Sequence, residues 1–223
     1  TRAVMRKMTQ ILDVPFDALT MTEAVEKVMG FLADDKQHYI CTPNPEIVME
    51  AQHDKELMKI LREADLVVPD GIGVVWASRY SEILLTERVA GYDLTQNIFS
   101  RIAGKNESVY FFGGAPGVAS TAARQMKKVY PGLKIVGGHN GYFDAEEEKK
   151  IIADIKRLSP SILLVGLGAP KQEKWIFRHK SRMPGVDIWM ALGATVDFEA
   201  GNVKRAPKWM QMLAMEWFYR FLM

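Results

Sequence analysis

Short, nearly unbroken apolar runs alternate with segments of helical periodicity along most of the chain. No other feature constrains the fold as strongly. The runs "HYICT" (38–42), "DLVVPD" (65–70), "SVYFFGG" (108–114), "LKIVGG" (133–138), "SILLVGLG" (161–168) and "VDIWMALG" (186–193) each suit one strand. A strand that is apolar on both faces must be covered on both, which is how parallel sheets in α/β proteins are built. Helical patterns fill the intervals at 20–32, 44–64, 73–80, 94–104, 118–130, 145–158 and 171–180. The first opens on Thr20-Met21-Thr22-Glu23, a capping box in which Thr20 caps and Glu23 reaches back. The sixth carries Glu146, Glu147 and Glu148 in its first turn, where the helix dipole favours acid. "MTQILDVPF" (8–16) reads as one further strand, and 81–93 is less regular. The expected class is α/β and Rossmann-like: a largely parallel sheet with helices on both faces.

At 223 residues the chain can hold one large α/β domain or two small ones. No internal repeat, low-complexity tract or linker interrupts it before Gly201, so residues 1–200 are read as one domain. A formal charge of +2 is too small to argue for nucleic acid as a partner. The single cysteine, Cys41, excludes an internal disulfide framework and fits a reducing, cytoplasmic compartment. It closes an apolar run and is expected to be a small buried side chain. No apolar run approaches the roughly 20 residues that span a bilayer, and no secretory signal is present. A chain that opens on Thr1 and stops in mid-pattern at Met223 reads as lacking its natural ends.

Residues 201–223 differ from the rest. Lys204, Arg205, Lys208 and Arg220 are set among Trp209, Met210, Leu213, Trp217, Phe218, Phe221 and Leu222. The apolar face is too broad and aromatic for an ordinary surface helix. Two readings stay open: a core or subunit-interface helix, or an interfacial helix lying on a membrane.

Chemistry is expected in the loops that follow the strands. "CTPNPE" offers Thr42, Asn44 and Glu46, "PDGIG" offers Asp70, and "GGHNGYF" offers Asn140 and Tyr142. "GLGAPKQE" brings Gly168, Lys171, Gln172 and Glu173, and "LGATVDFEAG" brings Thr195 and Asp197. Asp70 invites a plain reading as a helix N-cap and a sharper one as a carboxylate at a strand's carboxyl end, where open α/β sheets build sites. "VYFFGGAPGVA" (109–119), with Gly113, Gly114 and Gly117, resembles a phosphate-binding turn, because glycines let backbone N–H groups approach an anion at a helix start. The strand after it ends in Gly137, Gly138, His139 and Asn140, without the acidic residue that would hold a dinucleotide ribose. That disfavours NAD and leaves a mononucleotide such as a UDP group.

Other chemistries find little support. There is no G-x-S-x-G elbow, P-loop or H-E-x-x-H pattern. His38, His53, His139 and His179 lack ligand spacing and are expected to be structural or solvated. No D-x-D pair is present to hold a divalent metal against a diphosphate, so no metal and no cofactor are expected.

In chain order, "TPNPEIV" (42–48), "DLVVPDGIGVVW" (65–76), "ERVAGYDL" (87–94), "YFFGGAPGVA" (110–119), "GLGAPKQE" (166–173) and "GATVDFEAG" (193–201) closely resemble the motifs of the WecG/TagA/CpsF family of bacterial glycosyltransferases. The resemblance runs from Ile11 to Phe221. It implies an enzyme that moves N-acetylmannosamine from UDP to the 4-hydroxyl of GlcNAc in undecaprenyl-diphosphate-GlcNAc. The transfer would invert the anomeric centre and give a β linkage, in wall teichoic acid synthesis. A different UDP-sugar within the same family is the alternative, and a nucleotide-binding module without catalysis a further one. By the same matching, Asp70 is the general base, with Gly71 and Gly73 leaving room for a sugar. Thr42 and Asn44 line the sugar pocket, Arg88 meets the donor diphosphate or acceptor phosphate, and Gln172 holds the donor sugar. Gly113, Gly114, Tyr142 and Asp197 face the nucleotide. Plainer readings stand beside these: an Asx or Ser/Thr turn for Thr42 and Asn44, a surface ion pair with Glu87 or Asp93 for Arg88, and solvation near a helix start for Gln172. The family also implies that 201–223 begins a C-terminal appendage, which docks on the cytoplasmic membrane and contributes arginines to the site. The exposed aromatic tail suggests a homo-oligomer in solution.

Overall fold

The computed structural model describes residues 6–192. The chain begins with β1 (Met8–Ile11) and β2 (Val14–Asp17), followed by α1 (Met21–Leu32), β3 (His38–Cys41), α2 (Pro45–Ala51) and α3 (Lys55–Glu63). Next come β4 (Leu66–Val67), α4 (Ile72–Ala77), α5 (Gly91–Ile102), β5 (Ser108–Gly113) and α6 (Val118–Val129). It continues through β6 (Lys134–His139), α7 (Ala145–Leu158), β7 (Ile162–Gly166), α8 (Lys171–His179) and β8 (Ile188–Ala191). The six strands from β3 to β8 form one sheet in the order β4-β3-β8-β7-β5-β6, and every neighbouring pair is parallel. The expected Rossmann-like architecture is borne out.

Apolar side chains leave each central strand on both sides. Tyr39, Tyr110, Phe112, Leu163, Val165 and Trp189 pack beneath α2, α3, α7 and α8. Their alternating neighbours Ile40, Val109, Phe111, Ile162, Leu164, Ile188 and Met190 pack beneath α1, α5 and α6. Period-two alternation with both faces apolar is the physical cause of the near-continuous runs in the sequence. Cys41 is buried and free, as expected, and burial pushes its thiol pKa up.

Three expectations about elements are corrected. The stretch 8–16 is an antiparallel hairpin, not one strand. Leu12 and Asp13 turn it with φ of 48° and 64°, the left-handed pair a two-residue hairpin loop requires. The helical stretch 44–64 is broken after Ala51, because Asp54 caps a new helix by accepting the Leu57 N–H at 3.0 Å. The run 65–70 pairs as a strand only at Leu66–Val67. Beyond it Pro69 has no N–H to give, while Asp70 N–H donates to the Pro43 carbonyl at 3.2 Å.

A buried carboxylate locks the hairpin to the sheet. Asp17 accepts two bonds from Arg6 at 2.6 Å each, one from Lys27 at 3.1 Å and the Val67 N–H at 2.8 Å.

Candidate active site

Because all six sheet strands run parallel, their carboxyl ends share one edge, and the loops singled out in the sequence gather along it. From β5 the chain steps outward to β6 and then returns to β7 on the other side, so the topology switches direction between β5 and β7. Such switch points open a crevice beyond the strand ends. Here Gly113 and Gly166 face each other in register, so closely that a Cβ on Gly113 would lie 2.2 Å from the Gly166 carbonyl oxygen. Gly114 N–H donates to that same carbonyl at 3.2 Å. The turn then enters α6, a twelve-residue helix with no side-chain cap, through Gly117 at φ 87°. The first turn of a helix left uncapped by side chains presents N–H donors, which is the arrangement that suits an anion.

Tyr142 reaches the same place by another route. Gly141 N–H donates to the Gly114 carbonyl at 2.8 Å, and Asn140 turns the loop by accepting the Tyr142 N–H at 2.8 Å. Tyr142 is 71% exposed, with its ring on the surface. Gly113, Gly114 and Tyr142 are thus brought together, whereas Asp197, with Thr195, lies outside the described residues.

The second cluster lies at the ends of β3, β4 and β8. Asp70 follows β4, and its carboxylate does not cap α4, whose N-terminus has no side-chain cap bond. Instead Oδ2 accepts the N–H of Gly91, the first residue of α5, at 3.0 Å. On Oδ1 sits Nη2 of Arg88 at 3.4 Å, with the Asp70 side chain 28% exposed and that of Arg88 20%. The N-cap reading is therefore corrected: Asp70 does not start α4, and its carboxylate instead accepts the first N–H of α5, a helix distant in sequence. Among the described residues Arg88 pairs with Asp70, while Glu87 accepts the Met21 N–H.

Thr42 and Asn44 continue β3 into α2. Thr42 is nearly buried and donates its hydroxyl to the Ala191 carbonyl at 3.2 Å. Asn44 caps α2, its Oδ1 accepting the Ile47 N–H at 2.9 Å, so the amide nitrogen is the group it can still direct outward. The space beside Gly71 and Gly73 belongs to Pro45, whose ring carbons would lie 2.8 and 3.1 Å from a Cβ at each position. Those glycines admit α2, not a sugar.

Gln172 lies between the two clusters, in the first turn of α8 behind β7. It is 1% exposed, which removes the solvated reading, and its Nε2 donates to Oε1 of Glu173 at 2.9 Å. Glu173 stands in the same "GLGAPKQE" stretch, and nothing in its sequence context announces a role for it. Burial pushes its carboxyl up to about 7, against the opposing bond from Gln172. Gly91 is a second residue of the site that its local sequence does not mark. It lies in "ERVAGYDL", but only the fold shows that its N–H meets Asp70.

The histidines behave as structural residues where their contacts are described. His38 stacks on Phe31 and binds Asp34 at 2.9 Å, and His179 lies 3.3 Å from Glu148. Among the described residues no three His, Cys, Asp or Glu side chains gather in a metal-binding group.

A strand-end carboxylate held by a guanidinium, on the same sheet edge as a glycine turn at the switch point, fits a transferase acting on an activated group. The family model "Glycosyl transferase WecG/TagA/CpsF family" matches residues 9–223, and the chain belongs to that family. The Bacillus subtilis (strain 168) protein named N-acetylglucosaminyldiphosphoundecaprenol N-acetyl-beta-D-mannosaminyltransferase is 32% identical over 214 residues, covering 96% of this chain and 82% of the relative. The Staphylococcus aureus (strain MW2) protein of the same name is 34% identical over 215 residues, covering 96% and 84%.

Proposed function

We propose that the chain transfers N-acetylmannosamine from UDP-ManNAc to the 4-hydroxyl of GlcNAc in undecaprenyl-diphosphate-GlcNAc, with inversion to a β-1,4 linkage. The observation that carries this reading is the setting of Asp70: partly exposed, oriented by Gly91 and Arg88, on the same sheet edge as the Gly113–Gly114 turn. Four strand spacings separate β4, which Asp70 follows, from β5, about 19 Å, a span for the nucleotide sugar and the acceptor sugar together.

In this mechanism the acceptor hydroxyl gives its proton to the Asp70 carboxylate as its oxygen attacks the anomeric carbon. The bond from that carbon to the diphosphate oxygen breaks on the opposite face, and its electron pair leaves with UDP. A positioned base of this kind contributes about 10²–10⁴ in rate. Arg88 places positive charge where the diphosphate develops its negative charge. Gln172, Thr42 and Asn44 address sugar hydroxyl and amide groups. Gly113, Gly114 and the start of α6 take the nucleotide, with Tyr142 beside it and Asp197 from the segment that follows β8. The reaction is proposed to need no metal and no cofactor.

The acceptor is a lipid, so the enzyme is placed peripherally on the inner face of the cytoplasmic membrane, docked through 201–223. Among the described residues no helix is long and apolar enough to cross a membrane. In solution the aromatic tail would be covered by a second copy. A form ending near Gly201 should then lose both vesicle co-sedimentation and self-association, and equal vesicle binding by both forms would rule out docking through the tail.

The direct test is UDP release in the presence of EDTA, with each UDP-sugar and a short-chain lipid acceptor. Release is expected with UDP-ManNAc and only when acceptor is added. Preference for another UDP-sugar would move the assignment within the family. Binding of UDP without acceptor-dependent release from any donor would reduce the protein to a nucleotide-binding module.

A further inference from the structure

Glu173 is an unusual group to find under a helix. It is 2% exposed, and among the described residues its Oε2 has no hydrogen-bond partner. It stands on the side of the sheet where Tyr39 and Trp189 are neighbours in register, and the buried Trp189 Nε1 is likewise unpartnered. The buried Tyr39 hydroxyl is also without a hydrogen-bond partner among the described residues. A buried polar group left unsatisfied costs free energy and calls for a functional reason.

Its other oxygen supplies that reason. Oε1 accepts from Nε2 of Gln172 at 2.9 Å, and both side chains are nearly buried. An amide has a donor end and an acceptor end, and only its partners decide which end faces which way. Rotating the Gln172 amide by half a turn would set its oxygen against the Glu173 oxygen, acceptor against acceptor. The carboxyl thus holds the amide in one of two orientations that its shape alone would allow.

We propose that Glu173 is a positioning residue that fixes the orientation of the Gln172 amide, and thereby the hydrogen-bonding pattern which this side chain offers to the donor sugar. The part concerning the sugar rests on the glycosyltransferase reading above. The part concerning the amide does not. Because Glu173 changes charge near neutral pH, the strength of the hold varies there. The titratable groups whose fields meet that of Glu173 are Tyr39 and Cys41 of β3, and Cys41 in turn feels Lys180 and Asp65. Lys174, next along α8, is engaged by Asp54 at 2.5 Å and Glu56 at 3.3 Å.

The test uses the full ¹⁵N-labelled chain. The side-chain NH₂ signals of Gln172 are assigned by their loss in Gln172→Leu. In the wild type they should move with pH, with a midpoint near 7, and in Glu173→Gln they should not titrate. Signals that ignore pH in the wild type, or titrate equally in Glu173→Gln, would overturn the proposal whether or not UDP-ManNAc is the donor. A kinetic arm reads the sugar. Glu173→Ala should raise the donor KM about fivefold, the worth of one misplaced hydrogen bond, with UDP affinity unchanged. Glu173→Gln keeps an acceptor oxygen and should stay within about twofold, with a flatter pH profile. A Glu173→Ala protein that loses thermal stability but keeps its donor KM would show a role in packing alone.

Discussion

The backbone N–H of Gly91 donates to Oδ2 of Asp70 at 3.0 Å, joining the start of α5 to a carboxylate twenty-one residues earlier in the chain. The contact needs close packing, because Gly91 lies against Thr42. A Cβ at Gly91 would stand 2.9 Å from Thr42 Oγ1 and 3.3 Å from Leu192 Cδ2.

Gly91→Ala should therefore push the first turn of α5 away from Asp70. Overpacking of this sort costs about 1–3 kcal/mol, which thermal or denaturant unfolding will register. Activity should fall further than stability explains, since the carboxylate loses the donor that orients it. Wild-type turnover in a folded Gly91→Ala protein would show that this contact is dispensable.

Asp17 makes an opposite use of a buried acid. Burial pushes its pKa up, but the Arg6 bonds, the Val67 N–H and the charges of Arg6 and Lys27 outweigh this and hold it below the ordinary value of 3.8. The fold favours the ionised form. The stabilisation is therefore complete above the ordinary Asp range and is lost as pH falls through the lower folded value. Asp17→Ala leaves the buried Val67 N–H without its acceptor, whereas Arg6 and Lys27 are partly exposed, so it should cost about 1–3 kcal/mol at neutral pH. Asp17→Ala should also unfold with a shallower acid dependence than the wild type.

Glu173 titrates with the reverse sign. Its carboxyl is raised from 4.5 to about 7, so the fold favours the protonated form. Its stabilising contribution is full below the ordinary Glu range and disappears as pH rises to about 7. At about 1.4 kcal/mol for each pKa unit, the loss is on the order of 3 kcal/mol. Glu173→Gln should then melt higher than the wild type at pH 8 and match it near pH 5. Equal melting temperatures at both pH values would show that the carboxyl is not held in a dry site.

Much of this was legible in the sequence because burial on both faces of a parallel sheet leaves an unmistakable apolar run. The Thr20–Glu23 capping box is present in full, with each partner bonding the other's backbone N–H. Signals that depend on one residue in a turn were harder to read. The hairpin at Leu12 and Asp13 has no glycine to announce it, and the break before Asp54 depends on a side chain that can equally sit in a helix. The strand-end loops were legible as candidates, but not the partners within them. Nothing local to Gly71 points to Pro45, and nothing local to Asp70 points to the N–H of Gly91. Those contacts are made by the fold.

The claim that Asp70 removes the acceptor proton is tested most directly by Asp70→Asn in an acceptor-dependent UDP-release assay. Asparagine preserves the size of the side chain and an oxygen for the Gly91 N–H, but it cannot take up the proton. Melting temperature and UDP affinity should stay near wild type, while turnover falls at least about 10²-fold. If turnover instead stays above about a tenth of wild type, where loss of such a base should cost far more, Asp70 is not the base.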